Sequence, residues 1–274
     1  MTTIGLISPG EMGASVGAAA NREHSRVIWA GDGRSNASHA RAQKAGIEDC
    51  HTLTTMTDNA DFILSVCPPH DAQSVAVSVA ELNFNGIFVD CNAISPQKSR
   101  QLSQQLNESR YVDGGIIGGP AWDADSGTRL YLSGEKAKAT AELFQESPLH
   151  VTVISGDIGA ASAMKMVFAA YTKGTTALLA AILGVAEREG IRDVLESQWG
   201  ESFTSRTHNQ LVTNSSKAWR FSGEMLEIAQ TFEDAGFPGG FHQAAAQIFD
   251  QLGEYKDEPA EEITALLQTL VRPS

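Results

Sequence analysis

The segment IGLISPGEMG, residues 4–13, places small residues directly after an apolar run. Binding a dinucleotide requires a tight turn after a strand, a backbone close to the pyrophosphate, and a helix packed tightly on the sheet. Gly10 can supply the close approach and Gly13 the helix–strand contact. Ser8 stands where the first glycine of such a fingerprint is expected, and it can make the turn if its φ stays negative. The pattern predicts cofactor contacts from Ser8, Pro9, Gly10, Glu11, Met12 and Gly13, against the alternative of a tight turn without a ligand.

The second candidate strand, 26–30, runs into GDGRS, residues 31–35, which bears on the choice of cofactor. An acid at this place usually holds the ribose diol of NAD, and Asp32 is such an acid. Arg34 and Ser35 offer a guanidinium fork and a hydroxyl, which suit the 2′-phosphate of NADP. The sequence therefore favours NADP(H) over NAD(H), unless Arg34 is only a solvated loop residue.

Lys165 stands out because it lies between Met164 and Met166 in an otherwise apolar stretch. Lysine is almost never fully buried without a partner, so such a position needs a reason. An amine placed in a cleft could move a proton to or from a substrate oxygen. The alternative is a lysine whose stem covers apolar surface while its amine reaches solvent.

The elements that must position these residues alternate between strands and helices in the first half of the chain. Helices are expected over 13–20 and 37–46, and another begins at Ser95-Pro96, where serine caps and proline takes the first helical position. Continuous apolar strands between helices imply a parallel sheet covered on both faces. After Gly156 only helical patterns follow. The strands are expected at 3–7, 26–30, 61–66, 87–91, 111–113, 129–133 and 151–154.

These patterns predict an α/β fold with two domains. Residues 1–156 form a Rossmann domain, which is a doubly wound parallel sheet that binds a dinucleotide. Residues 157–274 form an all-α domain for substrate binding and dimerisation.

Composition narrows the class of protein. The net charge of −13 argues against a nucleic-acid partner, because neutralising phosphates requires clustered Lys and Arg. Three cysteines are too few for a disulfide framework or a zinc site, so no metal is expected and reduced thiols in the cytoplasm are predicted. The longest apolar stretch, 158–185, is interrupted by Lys165 and Lys173, which favours a buried helix over a membrane span. No signal peptide is expected.

The opening segment resembles that of the β-hydroxyacid dehydrogenase and 6-phosphogluconate dehydrogenase superfamily, which includes 3-hydroxyisobutyrate dehydrogenases and imine reductases. Members usually have glycine where this chain has Ser8. Further resemblance lies in VCPP (66–69), VDCNAISP (89–96), DGGIIGG (113–119) and GAASAMK (159–165). The stretches 165–183 and 217–249 resemble one branch, described as 6-phosphogluconate-dehydrogenase-like proteins with their own C-terminal domain.

The resemblance implies a role for each matching position. Lys165 would be the catalytic residue that exchanges a proton with the substrate oxygen. The loop with Cys67, Pro68 and Pro69 would run under the nicotinamide ribose, and Asn92 would lie at both cofactor and substrate. The residues implied to bind substrate are Asn92, Ala93, Gly118 and Gly119.

Several departures from the superfamily pattern remove polar contacts. Asn92-Ala93 replaces a serine–threonine pair, Ile117 replaces the serine of S-G-G, and Ala169 replaces an asparagine one turn after the lysine. A more apolar substrate pocket is therefore expected. In the last domain Glu224-Met225 replaces a lysine–aspartate pair.

Arg220 could restore a cation for a substrate carboxylate. Lys217, Arg220 and Glu224 have spacings that would place them on one face of a helix. That face could bind the substrate or could be a surface ladder of ion pairs.

The leading hypothesis is an NADP(H)-dependent oxidoreductase that interconverts a hydroxyl and a carbonyl on a small acid. The alternatives are an NADPH-dependent imine reductase and a cofactor-binding regulator without turnover. The resemblance also implies a homodimer formed through the C-terminal domain. A small-molecule substrate is expected, with no nucleic-acid or membrane partner.

Overall fold

The computed structural model describes residues 1–154, 156–256 and 258–272. The chain divides into two compact units, Met1–Met166 and Val167–Ser274. The sequence predicts a boundary at residue 156, before a long helix. In the structure the division falls between Met166 and Val167, which lie within that helix, Ala160–Arg188.

The first unit contains one sheet of eight strands in the order β3-β2-β1-β4-β5-β6-β7-β8. A single neighbouring pair, β6 and β7, is antiparallel, and the other pairs are parallel. The strands are β1 (Thr2–Ile7), β2 (Ser25–Trp29), β3 (Glu48–Asp49), β4 (Phe62–Ser65), β5 (Ile87–Asp90), β6 (Tyr111–Ile117), β7 (Arg129–Ser133) and β8 (His150–Val153).

The antiparallel pair is the exception in the parallel sheet that the sequence predicts. A parallel connection needs a crossover of a dozen or more residues, usually a helix. Between β6 and β7 the chain makes only a short 3₁₀ turn, Ala124–Ser126, and it reverses direction through Gly118, whose φ is 131°. The chain therefore turns back beside β6, while the doubly wound character of the remaining sheet is confirmed.

The described residues of the first unit include six complete helices: α1 (Glu11–Ala20), α2 (Asn36–Lys44), α3 (Leu53–Asn59), α4 (Ala72–Glu81), α5 (Pro96–Leu106) and α6 (Ala137–Glu142). The predicted start of α5 is confirmed, because the Ser95 side chain accepts a hydrogen bond from the main chain of Lys98 and Pro96 is the first helical residue. The sequence reading missed α3, α4, α6 and the two-residue strand β3.

Apolar residues cover both faces of this sheet. One cluster contains Leu6, Trp29 and Val112, and the other contains Ile63 and Phe88, all at most 2% exposed. Because strands buried on both faces have few polar positions, the near-continuous apolar runs of the sequence are explained.

The second unit holds helices and, among its described residues, no strand. Helix α7 (Ala160–Arg188) begins in the first unit, and α8 to α12 follow it. Aromatic contacts between α10 and α11, such as Phe221 on Phe249, fix that helix pair. The five later helices are α8 (Arg192–Trp199), α9 (Glu201–Ser215), α10 (Ala218–Asp234), α11 (Gly240–Gln251) and α12 (Ile263–Val271).

Helix α7 is apolar but incompletely buried. By length and composition alone it could cross a membrane, a property it shares with core helices of soluble proteins, and 39% of the most apolar window is buried. The expected buried helix is therefore found only in part. Tyr171 is 71% exposed and Val185 62% exposed, so α7 keeps an apolar exposed face.

Candidate functional site

The turn between β1 and α1 has the compactness that a dinucleotide site requires. A Cβ atom at Gly13 would lie 2.3 Å from the main-chain oxygen of Ser8, so only glycine fits. The main-chain N–H of Gly10 donates to that same oxygen at 2.7 Å. The prediction that Gly13 makes the close helix–strand contact is confirmed.

The conformation expected for Ser8 is wrong. Its φ is +66°, in the left-handed region that favours glycine, and not negative. In this conformation the Ser8 carbonyl lies over Gly13 and accepts from the Gly10 N–H. Ser8 therefore adopts a glycine conformation at a position where the superfamily usually has glycine.

The N-terminus of α1 is open to a ligand. Gly10 is the N-cap residue and provides no side-chain hydrogen bond, and nothing lies within 4 Å of its ideal Cβ position. Unpaired N–H groups and the helix dipole make such an end suitable for phosphate.

Arg41, which the sequence reading missed, supports this turn from α2. Its Nε donates to the carbonyl oxygen of Pro9 at 2.9 Å, and its Nη1 lies 3.8 Å from Glu11. An arginine inside a polar helix gives no sequence signal for such a contact, because the contact joins residues 32 positions apart.

The segment after β2 carries charged residues of both signs. Arg34 and Asp32 are exposed, and Asp32 lies 3.4 Å from His51. The Ser35 hydroxyl caps α2 by accepting from the main chain of Ser38. Asp49 on β3 was not predicted, and it accepts a hydrogen bond from the main chain of Gly31 at 3.0 Å.

Asn92 ties the ends of β4 and β5 together. Its Oδ1 accepts from the main-chain N–H of Cys67 at 2.6 Å, and its Nδ2 donates to the Ser65 hydroxyl at 3.0 Å. Its own main-chain N–H donates to Asp90 at 2.9 Å, and the residue is 2% exposed. The amide that was predicted to bind substrate and cofactor thus binds the chain itself.

The loop after β4 carries the residues predicted for the nicotinamide side. Pro68 is exposed and Pro69 begins a 3₁₀ turn, whose first carbonyl accepts from the Lys98 ammonium at 3.2 Å. Burial raises the pKa of the Cys67 thiol to about 12, so this cysteine is a neutral thiol at physiological pH.

Asp113 on β6 anchors the first turn of α7. Its carboxylate accepts from the main-chain N–H groups of Gly159 and Ser162, each at 3.0 Å, and from the hydroxyl of Ser162. It also accepts from Ser99 and Ser133 at 2.9 Å. A carboxylate at a helix N-terminus is favourable, so this contact fixes where α7 begins.

Lys165 follows in the next turn of α7 and is half-buried. A Cβ atom at Gly115 would lie 3.0 Å from the Cβ of Lys165 and 2.5 Å from the main-chain oxygen of Ala161. Only the missing side chain of Gly115 lets α7 pack this closely on β6. The strand thereby determines where the lysine stands.

Gly118 and Gly119 are the two glycines predicted to bind substrate. Gly118 packs against Thr128 of the same chain. A Cβ there would lie 2.6 Å from the Thr128 hydroxyl. That hydroxyl donates to the Gly119 carbonyl at 2.6 Å. Gly119 has open space at its Cβ position, and Ala93 beside Asn92 is half-buried.

In the second unit the predicted cation and acid have different surroundings. Arg220 is exposed, and its guanidinium lies 5.6 Å from the ring centre of Trp219. Glu224 is buried, and its carboxylate lies 3.1 Å from the ammonium of Lys173. The Lys173 ammonium also lies 4.9 Å from the ring centre of Phe221, a cation–π contact that the sequence did not reveal.

Two protein families match parts of this chain. Residues 3–156 match the family described as the NAD-binding domain of 6-phosphogluconate dehydrogenase, and residues 180–252 match a domain of unknown function (DUF1932). An uncharacterised 28.5 kDa protein of Methanothermus fervidus is 27% identical over 200 residues, which are 72% of this chain and 77% of that protein.

Solved structures share the fold over nearly the whole chain. A conserved protein of unknown function, described as structurally similar to 3-hydroxyacid dehydrogenases, is 26% identical with a TM-score of 0.67, covering 92% of this chain and 97% of its own. The 3-hydroxyisobutyrate dehydrogenase of Mycobacterium tuberculosis is 17% identical with a TM-score of 0.70, covering 99% and 100%. An imine reductase of Bacillus cereus is 15% identical with a TM-score of 0.55, covering 100% of both chains.

The match over residues 3–156 spans more than half of the chain. It includes the turn between β1 and α1, Asn92 with its hydrogen bonds to Cys67 and Ser65, and Asp113. These residues form an NAD(P)-binding fold like that of hydroxyacid dehydrogenases. The chain belongs to the family defined by the NAD-binding domain of 6-phosphogluconate dehydrogenase.

Proposed function

We propose that this protein is an NADP(H)-dependent oxidoreductase that interconverts a hydroxyl and a carbonyl on a small acid. The observation that carries the proposal is the position of Lys165. Asp113 pairs in register with Asp90, the last residue of β5, so Gly115 and the lysine packed on it lie beyond the carboxyl end of β5. Ligands of open parallel sheets bind outside the carboxyl ends of the strands, where the glycine turn after β1 also lies.

The residues of the first unit fit a dinucleotide. The open N-terminus of α1 at Gly10 suits the pyrophosphate, and the loop at Cys67, Pro68 and Pro69 suits the nicotinamide side. When bound, the nicotinamide would supply or accept the hydride. Arg34 supports a preference for NADP(H), because its exposed guanidinium is available to a 2′-phosphate. Ser35 supports the preference less, because its hydroxyl also caps α2.

In this proposal Lys165 handles the proton at the substrate oxygen. In the direction of reduction its ammonium donates a proton to the carbonyl oxygen, and in oxidation its amine accepts the hydroxyl proton. Asp113 acts on Lys165 indirectly, since it fixes the first turn of α7. Ala93, Gly119 and Arg220 remain the candidates for contacting substrate, whereas Asn92 acts through the Cys67 loop.

Imine reduction is the second candidate. It is favoured by Ile117 and Ala169, which replace polar residues of the superfamily pattern by apolar ones. A cofactor-binding regulator without turnover is the third, and it would not need the lysine.

The quaternary structure is part of the proposal. The apolar face that α7 exposes supports a homodimer formed through the second unit. The three cysteines are free thiols, which is consistent with a cytoplasmic location.

The function is tested with the variant Lys165→Met. Fluorescence titration with NADPH and with NADH should give tighter binding of NADPH. Turnover is then measured with a panel of 3-hydroxy acids, 3-oxo acids and cyclic imines. We expect Lys165→Met to bind NADPH as the wild type does and to lose about 10²–10⁴-fold in kcat, the usual contribution of a general acid or base.

Lys138→Met is the matched control, because this lysine is exposed on α6. It should keep full activity. Turnover of imines without turnover of 3-oxo acids would establish the second candidate. Wild-type activity in Lys165→Met would refute the assigned proton transfer, and failure to bind either nucleotide would refute the cofactor.

A further inference from the structure

A row of four buried polar residues crosses strands β4 to β7, at the last residue of β4, β5 and β7 and at the third residue of β6. Ser65 pairs in register with Asp90, Asp90 with Asp113, and Asp113 with Ser133. None of the four is more than 1% exposed. Buried polar groups are costly unless they are hydrogen-bonded, so each member of the row needs partners.

Asp113 has a full set of partners. It accepts five hydrogen bonds, from two main-chain N–H groups and three serine hydroxyls. An ionised carboxylate is an acceptor only, and this number of donors suits the anion.

Asp90 has a different environment on the neighbouring strand. Its Oδ1 accepts from the main-chain N–H of Asn92, but its Oδ2 is buried and has no hydrogen-bond partner among the described residues. An ionised Asp90 would leave a bare charged oxygen beside the anion of Asp113, which is a strongly unfavourable arrangement. The neutral acid avoids that charge.

The charged and titratable groups around Asp90 agree with a neutral acid. Burial and the charge of Asp113 raise the pKa of Asp90 to about 7, against the opposing effects of its hydrogen bond from Asn92 and of the Lys98 ammonium on α5. Burial also raises the pKa values of Cys91 and Tyr111, and the negative charge of Asp113 raises them further. These two groups therefore stay neutral.

We propose that Asp90 is a positioning residue of the cofactor site: its carboxyl holds the main chain of Asn92, whose amide fixes the Cys67 loop, and the neutral form keeps this arrangement free of repulsion from Asp113. The chain of contacts runs from Asp90 to the main chain of Asn92, and from the Asn92 amide to Cys67 and Ser65. Deprotonation places a second negative charge beside Asp113 and loosens this end of β5. The inference rests on the proposed function in one respect, namely that the Cys67 loop contacts the nucleotide.

A first measurement needs no nucleotide. Between an ordinary carboxyl pKa of about 4 and a pKa of about 7, folded Asp90 holds a proton that the unfolded chain has released. Its contribution to stability is therefore present at low pH and is lost as the pH rises through about 7. Asp90→Asn keeps the Oδ1 acceptor and is neutral at every pH. The thermal midpoint of the variant minus that of the wild type should therefore increase from pH 5.5 to pH 8.5.

A second measurement is the affinity for NADPH at pH 6.0 and pH 8.5 by fluorescence titration. From pH 6.0 to pH 8.5, we expect the Kd of the wild type for NADPH to rise about fivefold more than the Kd of Asp90→Asn. This difference corresponds to a coupling free energy of about 1 kcal/mol. Any titration of the nucleotide itself cancels, because both proteins are titrated with the same ligand. Asp58→Asn, which changes an exposed carboxyl in the same unit, should follow the wild type in both measurements.

The outcomes separate the inference from the proposed function. If the thermal midpoint of Asp90→Asn depends on pH as that of the wild type does, the inferred titration of Asp90 is wrong. A changed midpoint profile with an unchanged pH dependence of NADPH affinity would overturn the positioning role and leave the proposed function intact. If no nucleotide binds at any pH, the proposed function and the positioning role both fail.

Asn92→Ala provides an independent test should Asp90→Asn not fold. It removes the link between Asp90 and the Cys67 loop but leaves the carboxyl in place. It should keep the wild-type slope of the thermal midpoint against pH and lose the pH dependence of NADPH affinity. Retention of that dependence would overturn the positioning role.

Discussion

At the scale of single residues, a polar side chain that looks available for a ligand can instead hydrogen-bond to the protein itself, and its sequence position does not reveal this. The sequence predicts ligand contacts for Asn92. In the structure its amide oxygen accepts a hydrogen bond from Cys67 and its amide nitrogen donates one to Ser65. The sequence identifies such a residue but not its partners, because these lie at the end of a different strand and in the loop after it. The sequence places Asn92 just after a predicted strand, but it does not give the direction in which the side chain points.

Ser8 provides the clearest prediction at this scale. A residue with a Cβ atom is strained at a φ of +66°, by about 1 kcal/mol, and glycine is not. We expect Ser8→Gly to raise the thermal midpoint by about 2–3 °C, measured by calorimetry without nucleotide. Ser74→Gly, at an exposed position in α4, should lower it instead, because glycine weakens a helix interior. A fall in the midpoint for Ser8→Gly would show that its hydroxyl contributes more than the strain costs.

At the scale of elements, the sequence predicted most strands because buried parallel strands are contiguous apolar runs. All seven expected strands were found, and Arg129–Ser133 has the expected bounds. The missed strand β3 has two residues and the missed helix α6 has six, so neither is long enough to show a period. The direction of β7 also escaped prediction, because an apolar run carries no information about whether its partner is parallel.

The packing of α7 on β6 gives a prediction for these two elements. In Gly115→Ala the new Cβ would overlap the Ala161 carbonyl, so the helix has to move and Lys165 moves with it. We expect a loss of stability of about 1–3 kcal/mol in chemical unfolding, and a larger fall in kcat than in NADPH affinity.

Gly223→Ala is the control for that substitution. Gly223 lies within α10 and has nothing within 4 Å of its Cβ position, so alanine there should stabilise the helix slightly. Unchanged turnover in Gly115→Ala would mean that the close approach of α7 is not needed for activity.

At the scale of the whole molecule, the sequence separated an α/β unit from a helical unit correctly, since hydrophobic periodicity changes clearly between them. It did not reveal how much of α7 is exposed, because an apolar run does not show which of its faces is packed against the rest of the chain. It also did not pair Lys173 with Glu224, which are 51 residues apart.

The proposed homodimer is tested on that exposed face. Light scattering after gel filtration should give twice the 29.2 kDa mass of the chain. Leu178→Glu, at a 45% exposed position on α7, should shift the protein towards the monomer, because a charge would have to be buried in the interface. Val77→Glu, at an exposed position of α4 in the first unit, should leave the mass unchanged. A wild-type mass of one chain would refute the proposal.

The state of the three thiols has a practical consequence. Burial raises the pKa values of Cys50, Cys67 and Cys91, so little thiolate is present at neutral pH, and the thiolate is the species that attacks alkylating reagents. The native cysteines should thus react slowly with maleimide or iodoacetamide. A single cysteine introduced at an exposed position can then take a spectroscopic label selectively, without first removing the natural ones.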